Sequence, residues 1–279
     1  MSGILWLASY PKSGNTWLRV FLANLREGAD TPVDINTLQT TQFSARELWD
    51  HAIGWETSEL TTSEVATLRL PVQEQLARTA PGIPIKTHEV FADPQDGLPR
   101  FSRPATRGVL YVVRHPLDLA VSLAHHRGES LDAAIAFMND PRAAVSFGPG
   151  EPHFTQLLCD WSTHVQSWAD AAGMPVCVLR YEDMLATPRE SFRRAAAAAG
   201  FETDGARIDR AVANTDFEIL RRQERDKGFQ ESAAGRPFFR EGRSGGWRQK
   251  LTSRQVAAVV DRHGAMMKRF GYLDGTQML

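Results

Sequence analysis

Two spacings of apolar residues run through this chain. Short continuous apolar runs at 4–8, 83–85, 109–113 and 176–179 read as strands buried on both faces, because a strand covered on one side only would alternate. Between and after them, apolar residues recur at helical spacing over 16–26, 44–54, 63–78, 116–138 and 154–172, then over 188–199, 204–214, 217–223 and 253–270. Pro188 stands where a helix would begin, and Gly200 and Gly271 where helices would end. The stretches 89–107, 139–153 and 224–246 are rich in Gly, Pro or charge and read as loops or lids. Strands alternating with helices imply an α/β fold, a single domain with a mostly parallel sheet flanked by helices. Ligands of such sheets bind at the carboxyl ends of the strands. No repeat or linker divides the 279 residues.

Polar chemistry is densest where the first apolar run ends. There the chain passes through Tyr10-Pro-Lys-Ser-Gly-Asn15 into a helix. A helix start offers unpaired N–H groups and a partial positive charge, and Lys12 adds a full one, so this strand–loop–helix is an anion cradle of P-loop-like design. The nucleoside-triphosphate loop itself is excluded by spacing, since Lys12 precedes Gly14 and no glycine lies five residues before Gly14. Lys86 and His88 are two apart on an extended chain and project to one side, which sets a base beside a cation at a strand end. Imidazole suits base work because its unperturbed pKa is about 6.5. Arg114 ends the third run, and Ser122 shares a helix face with Asp118 in the segment that Pro116 can start. Arg114 and Ser122 are placed to clasp a second phosphate.

Composition narrows the classes. Hydrophobic residues at 42% and charged residues at 23% are ordinary for a soluble globular protein. A net charge of −1 gives no basic field for nucleic acid. Cys159 and Cys177 make neither a disulfide framework nor a zinc pattern, so no metal is expected and the thiols read as free, in a reducing compartment. No apolar run approaches the roughly 20 residues that cross a bilayer, and no signal pattern opens the chain. The expectation is a cytoplasmic protein without membrane contact. Of 32 Lys and Arg only five are Lys, at 12, 86, 227, 250 and 268. Arg and Lys are not interchangeable where a compact point charge is needed, which gives Lys12 and Lys86 weight.

Pro11-Lys-Ser-Gly-Asn-Thr-Trp17 resembles the 5′-phosphosulfate loop of sulfotransferases that use 3′-phosphoadenosine 5′-phosphosulfate (PAPS), with Asn15 where that family has Thr. Lys86-Thr-His88 is similar to the family's Lys-Thr-His, and Arg114 with Ser122 to its 3′-phosphate element. His115, where the family has Asn or Asp, is read as structural. Arg180-Tyr-Glu-Asp183 resembles a stretch whose Tyr, here Tyr181, approaches the nucleotide, while Glu182 and Asp183 are read as a cap or as partners of an Arg. Thr215-Asp-Phe217 resembles the adenine-contacting element, and Arg240-Glu-Gly-Arg-Ser-Gly-Gly-Trp-Arg248 the lid over the 3′-phosphate. In that lid Glu241 replaces a Lys and Gly246 an Asp, with Arg243 as a compensating cation. Residues 242–246 also fit G-x-S-x-G, but a nucleophile elbow must follow a buried strand, which this stretch does not.

The resemblance implies a single sulfotransferase domain transferring a sulfuryl group from PAPS to a hydroxyl or amine of a small-molecule acceptor, with adenosine 3′,5′-bisphosphate (PAP) released. It implies that His88 takes the acceptor proton, Lys12 stabilises the leaving phosphate and Lys86 steadies the transferring group. Lys12, Ser13, Gly14, Asn15 and Thr16 would bind the phosphosulfate. Trp17 and Phe217 would sandwich the base, beside Tyr181 and Thr215, with Arg240 and Gly242 closing the lid. A kinase would need a magnesium-binding Asp where Arg114 stands. A nucleotide-binding protein without catalysis would not need His88. Phe43, Trp49, Trp55, Phe91, Phe137 and Phe147 fall in segments flanking the site, which points to an apolar acceptor. Arg100, Arg103 and Arg107 keep an anionic oligosaccharide open.

Overall fold

The computed structural model describes residues 3–80, 82, 84–95, 97–148, 151–201, 204–232 and 235–273. In chain order the elements are β1 (Ile4–Ser9), α1 (Asn15–Glu27), β2 (Thr41–Gln42), α2 (Arg46–Ile53), α3 (Thr62–Thr79), β3 (Pro84–Thr87), β4 (Thr106–Val113), α4 (Pro116–Arg127) and α5 (Leu131–Asn139). There follow β5 (Ala144–Val145), β6 (Gln156–Leu157), α6 (Trp161–Ala169), β7 (Val176–Arg180), α7 (Tyr181–Ala186), α8 (Pro188–Ala198), α9 (Gly205–Ala213), α10 (Phe217–Lys227) and α11 (Ser253–Arg269).

The main sheet runs β2-β3-β1-β4-β7, and every pairing in it is parallel. Central β1 explains its own apolar sequence. Ile4, Trp6 and Ala8 enter one core, with Tyr111 of β4 and side chains of α3, α4, α5, α6 and α11. Leu5 and Leu7 enter the other, with Leu110 and Val112 of β4 and side chains of α1, α8 and α9. Each fully buried aliphatic or aromatic side chain contributes about 1.5–3 kcal/mol, so both faces of β1 drive folding. A separate antiparallel ribbon, β5 with β6, pairs Val145 with Gln156. No helix among the described residues is long and apolar enough to cross a membrane.

Most predicted elements form, with differences in extent and in the loops. The expected helix 116–138 is two helices, because Gly128 at φ 68° ends α4, where a Cβ would overlap the Arg236 guanidinium. The expected helix 154–172 begins only at Trp161, where the Asp160 carboxylate caps it by accepting from Thr163 N at 2.9 Å; its first residues run into β6 instead. Residues 224–227, expected in a loop, extend α10, and Tyr181–Ala186 forms a short helix that the pattern did not reveal. The second strand occupies Pro84–Thr87, and its expected first residue, Ile83, lies outside the described residues. Pro188 opens α8, and Gly200 and Gly271, at φ 76° and 67°, follow α8 and α11.

Candidate active site

The carboxyl ends of β1, β3, β4 and β7 deliver Lys12, His88, Arg114 and Tyr181 to one cavity of about 410 Å³. After β1 the chain turns sharply, with Ser13 N donating to Tyr10 O at 3.3 Å. Lys12 takes the left-handed conformation at φ 68°, a strain of about 1–2 kcal/mol for a side-chain-bearing residue. Arg114 holds it there, its Nη1 donating to the Lys12 carbonyl at 3.0 Å. Gly14 sits at φ 109°, and a Cβ there would lie 2.7 Å from the Tyr181 ring. No side chain caps the start of α1 at Gly14, so its first-turn N–H groups remain available to an anion at the cavity.

Lys12 and Lys86 bring two ammonium groups to this wall. Burial, then Arg114 and Lys86, lower Lys12 to about 7. Its Nζ stands 3.4 Å over the centroid of the Phe238 ring. Lys86 is buried, which lowers its pKa, and its Nζ lies 3.1 Å from Glu231 Oε2. Burial alone would raise Glu231, but Lys86 and Arg19 outweigh it and hold the carboxyl at about 2. The Arg19–Glu231 contact is 2.5 Å.

His88 has a defined tautomer. Its Nδ1 lies 2.7 Å from the Ser9 carbonyl oxygen, which can only accept, so Nδ1 carries the proton and Nε2 keeps a lone pair. Burial, followed by Lys86, pushes the imidazole down to about 3. His164 fixes the backbone beneath it, Nε2 donating to the His88 carbonyl at 3.0 Å.

The opposite end is framed by α4 and the 240–247 segment. Arg114 stacks 4.4 Å from the Tyr181 ring centroid, and Ser122 faces the same space. Asp118 shapes the segment: its carboxylate accepts from Gly245 N at 2.6 Å, Ser244 Oγ at 3.2 Å and Trp247 N at 3.0 Å. Glu241 gathers Arg240 at 3.1 Å, Arg243 at 3.0 Å and Lys250; partial burial would raise its carboxyl, and these cations bring it to about 2. Gly242 is at φ 58°, and a Cβ there would overlap the Phe217 ring, so this glycine lets the aromatic wall close.

Lys12, Gly14, Asn15, Thr16, Trp17, Lys86 and His88 thus line one cavity with Arg114, Ser122, Tyr181, Phe217, Arg240 and Gly242. Three expectations change. Ser13 is not on the wall: the turn to Tyr10 tucks its side chain inside, 1% exposed. Thr215 is also off the wall; its hydroxyl donates to Val212 O, and its carbonyl accepts from Trp17 Nε1 at 2.9 Å, which orients that indole. The Asn15 amide turns inward, donating to Leu7 O at 2.9 Å and Ser9 Oγ at 3.3 Å, so its side chain braces the loop instead of offering a donor to an anion.

A model of the Sulfotransferase domain matches residues 3–271. The chain belongs to the sulfotransferase family. Sulfotransferase 1B1 of Mus musculus is 24% identical over 268 residues, which span 91% of this chain and 79% of that protein. Cytosolic sulfotransferase 13 of Arabidopsis thaliana is 27% identical over 276 residues, 92% of this chain and 74% of its own. Among solved structures, this sulfotransferase is similar to retinol dehydratase in a complex with retinol and PAP, with a TM-score of 0.63 at 19% identity over 95% of this chain and 81% of that one. Mouse sulfotransferase SULT7A1 complexed with PAP gives 0.60 at 20% identity, over 95% and 85%. These two likenesses show a shared fold.

Several wall residues of this sulfotransferase escaped the sequence reading. Glu231 and Phe238 arrive from the 224–246 segment and cover Lys86 and Lys12. His126 lines the cavity, and burial, then Lys12 and Lys86, lower it to about 4. Only Phe137 and Phe147 of the six flanking aromatics reach the cavity. Phe43, Trp49 and Phe91 are core, and Trp55 is 59% exposed. No described residue of 89–107 lines it: Arg100 pairs with Glu89 and Asp93, Arg107 donates to Ala199 O, and Arg103 packs by Gly173. Among the described residues, no group of three or more His, Cys, Asp or Glu could hold a metal ion. His115 caps α4 by accepting from Leu117 N, and Asp183 pairs with Arg180.

Proposed function

We propose that the protein transfers a sulfuryl group from PAPS to a hydroxyl, or an amine, of a small or medium-sized, largely apolar acceptor. One observation carries this reading: an uncapped helix start, the buried Lys86 with the partly buried Lys12, and an imidazole nitrogen with a free lone pair share one cavity. The acceptor oxygen attacks sulfur in line, and the bond from sulfur to the 5′-phosphate oxygen breaks. The acceptor proton passes to His88 Nε2, and PAP leaves with the electron pair. Lys12 faces the oxygen on which charge grows, and Lys86 steadies the sulfuryl oxygens. Preorganised charge of this kind is worth about 3–4 kcal/mol per donor. The polyanionic donor offsets the mutual repulsion of Lys12, Lys86 and Arg114, which makes both Lys12 and His88 more basic when the donor is bound. Trp17 and Phe217 flank the base. Arg114 and Ser122 take the 3′-phosphate, together with Arg240 and the backbone at Gly242.

Phe137, Val145 and Phe147 give the cavity wall apolar surface, and Arg100, Arg103 and Arg107 lie off that wall, which favours an apolar compound over an anionic oligosaccharide. The Arabidopsis relatives are cytosolic sulfotransferases, and the same compartment is proposed here.

Arg114→Ala weakens PAP by about ten- to a hundredfold, since a hydrogen bond to a charged group is worth about 1.5–3 kcal/mol, and Ser122→Ala weakens it less. Ser122→Ala leaves 5′-AMP within about threefold, and Arg114→Ala, which also releases the Lys12 carbonyl, weakens 5′-AMP less than it weakens PAP. Calorimetry with the two nucleotides checks this; equal losses for PAP and 5′-AMP would contradict the placement of the 3′-phosphate.

A further inference from the structure

Gln156 is a buried amide whose carbonyl oxygen has no partner among the described residues. It stands on β6, opposite Val145, and both line the cavity. Its neighbour Leu157 accepts from Val90 N at 2.9 Å, which ties the ribbon to the chain two residues past His88. Gln156 is 2% exposed, and its Oε1 accepts no hydrogen bond among the described residues. Gln73, equally buried in the core, shows the contrast: its Nε2 donates to Arg100 O at 2.8 Å and its Oε1 accepts from Ser102 N at 2.7 Å. Gln42, also on the cavity wall, donates to Ser44 Oγ at 3.0 Å. Buried amides are ordinarily satisfied, and one left without a partner costs about 1–3 kcal/mol. Val145, opposite it on the ribbon, has an apolar side chain and cannot supply the bond.

We infer that Gln156 recognises a second hydrogen-bonding group on the acceptor, so that the preferred acceptor is a diol or a hydroxy-carbonyl compound on an apolar frame. The inference rests on the sulfotransferase reading above. The transferring hydroxyl meets His88 Nε2 while a second oxygen, carried by the same rigid apolar body, meets the amide. A neutral amide offers one donor end and one acceptor end, so it fits a hydroxyl or carbonyl and gives no reason for a charged group. A site built around such a bond rejects the analogue that lacks it, because the polar group is then buried unpaired. Gln156 is thereby a specificity-determining residue that takes no part in moving the proton.

The test compares 1- and 2-naphthol with a set of dihydroxynaphthalenes, using PAPS as donor and PAP release as the signal. The wild-type protein should favour at least one dihydroxy isomer over both naphthols by about ten- to a hundredfold in kcat/KM, well beyond the roughly twofold statistical advantage of two hydroxyls. Gln156→Met, which keeps the volume and removes the hydrogen bonds, should reduce that preference to less than about threefold, with PAP affinity kept. Equal use of naphthols and diols by the wild-type protein overturns the inference, whether or not the variant folds. So does a preference that survives in both Gln156→Met and Gln156→Leu, or PAP binding with no turnover of any diol. Failure to bind PAP at all would instead overturn the donor assignment.

Discussion

Replacing His88 by alanine lowers turnover by about 10²–10⁴-fold, as removal of a general base does, and leaves PAP affinity within about threefold. The separation follows from geometry. Nδ1 is committed to the Ser9 carbonyl at 2.7 Å, so the ring is held with Nε2 as its one basic atom. Burial and Lys86 bring its pKa to about 3, so the free protein carries neutral imidazole throughout pH 5–9. His88 therefore gives kcat/KM no acid limb above about pH 5, and a loss of rate in that range belongs to another group. Rapid-quench single turnovers on a hydroxyl acceptor, beside calorimetry with PAP, measure the two effects separately. A variant keeping more than about a tenth of the activity would remove His88 from the base role.

Lys12→Ala costs about 10²–10³ in kcat, the loss expected when one preorganised charge is withdrawn from a leaving oxygen. This substitution also carries a pH signature. In the free protein Lys12 titrates at about 7, below its usual value, because burial and the neighbouring Arg114 and Lys86 oppose its charge. At pH 8 it is mostly neutral. A bound polyanion favours the ammonium form, so PAP binding at pH 8 takes up a proton. Linkage fixes the sign: affinity is highest below about pH 7 and falls as pH rises above it. Calorimetry in two buffers of different ionisation enthalpy should show uptake in the wild-type protein and its disappearance in Lys12→Ala. Proton release, or uptake unchanged by the substitution, would refute the assignment.

Local chemistry was legible in the sequence where one short segment carries it. Residues 4–8 are apolar throughout because both faces are covered, and the residues after them keep the order Lys, Gly, helix start that an anion site needs. Lys86 and His88 reach one cavity, as a period of two requires. What failed depends on partners distant in sequence. Phe154, Leu158, Trp161 and Val165 fit a helical spacing, yet the first two lie before the Asp160 cap, where the chain passes through the ribbon. Spacing cannot say that Phe43 and Trp49 pack in the core while Phe137 and Phe147 face the cavity. Glu231 is 145 residues from Lys86, and nothing local marks it. The sequence around Asn15 does not show that its amide is used internally, because its partners, Leu7 O and Ser9 Oγ, become neighbours only once the loop folds back on β1.

The most direct test follows sulfur from sulfur-labelled PAPS into a panel of aryl and alkyl alcohols, with the product identified by mass spectrometry. The account predicts sulfated acceptor and PAP in equal amounts, formed by the wild-type protein and reduced at least a hundredfold in His88→Ala. PAPS that binds tightly while no label reaches any hydroxyl or amine, or transfer undiminished without His88, would contradict it.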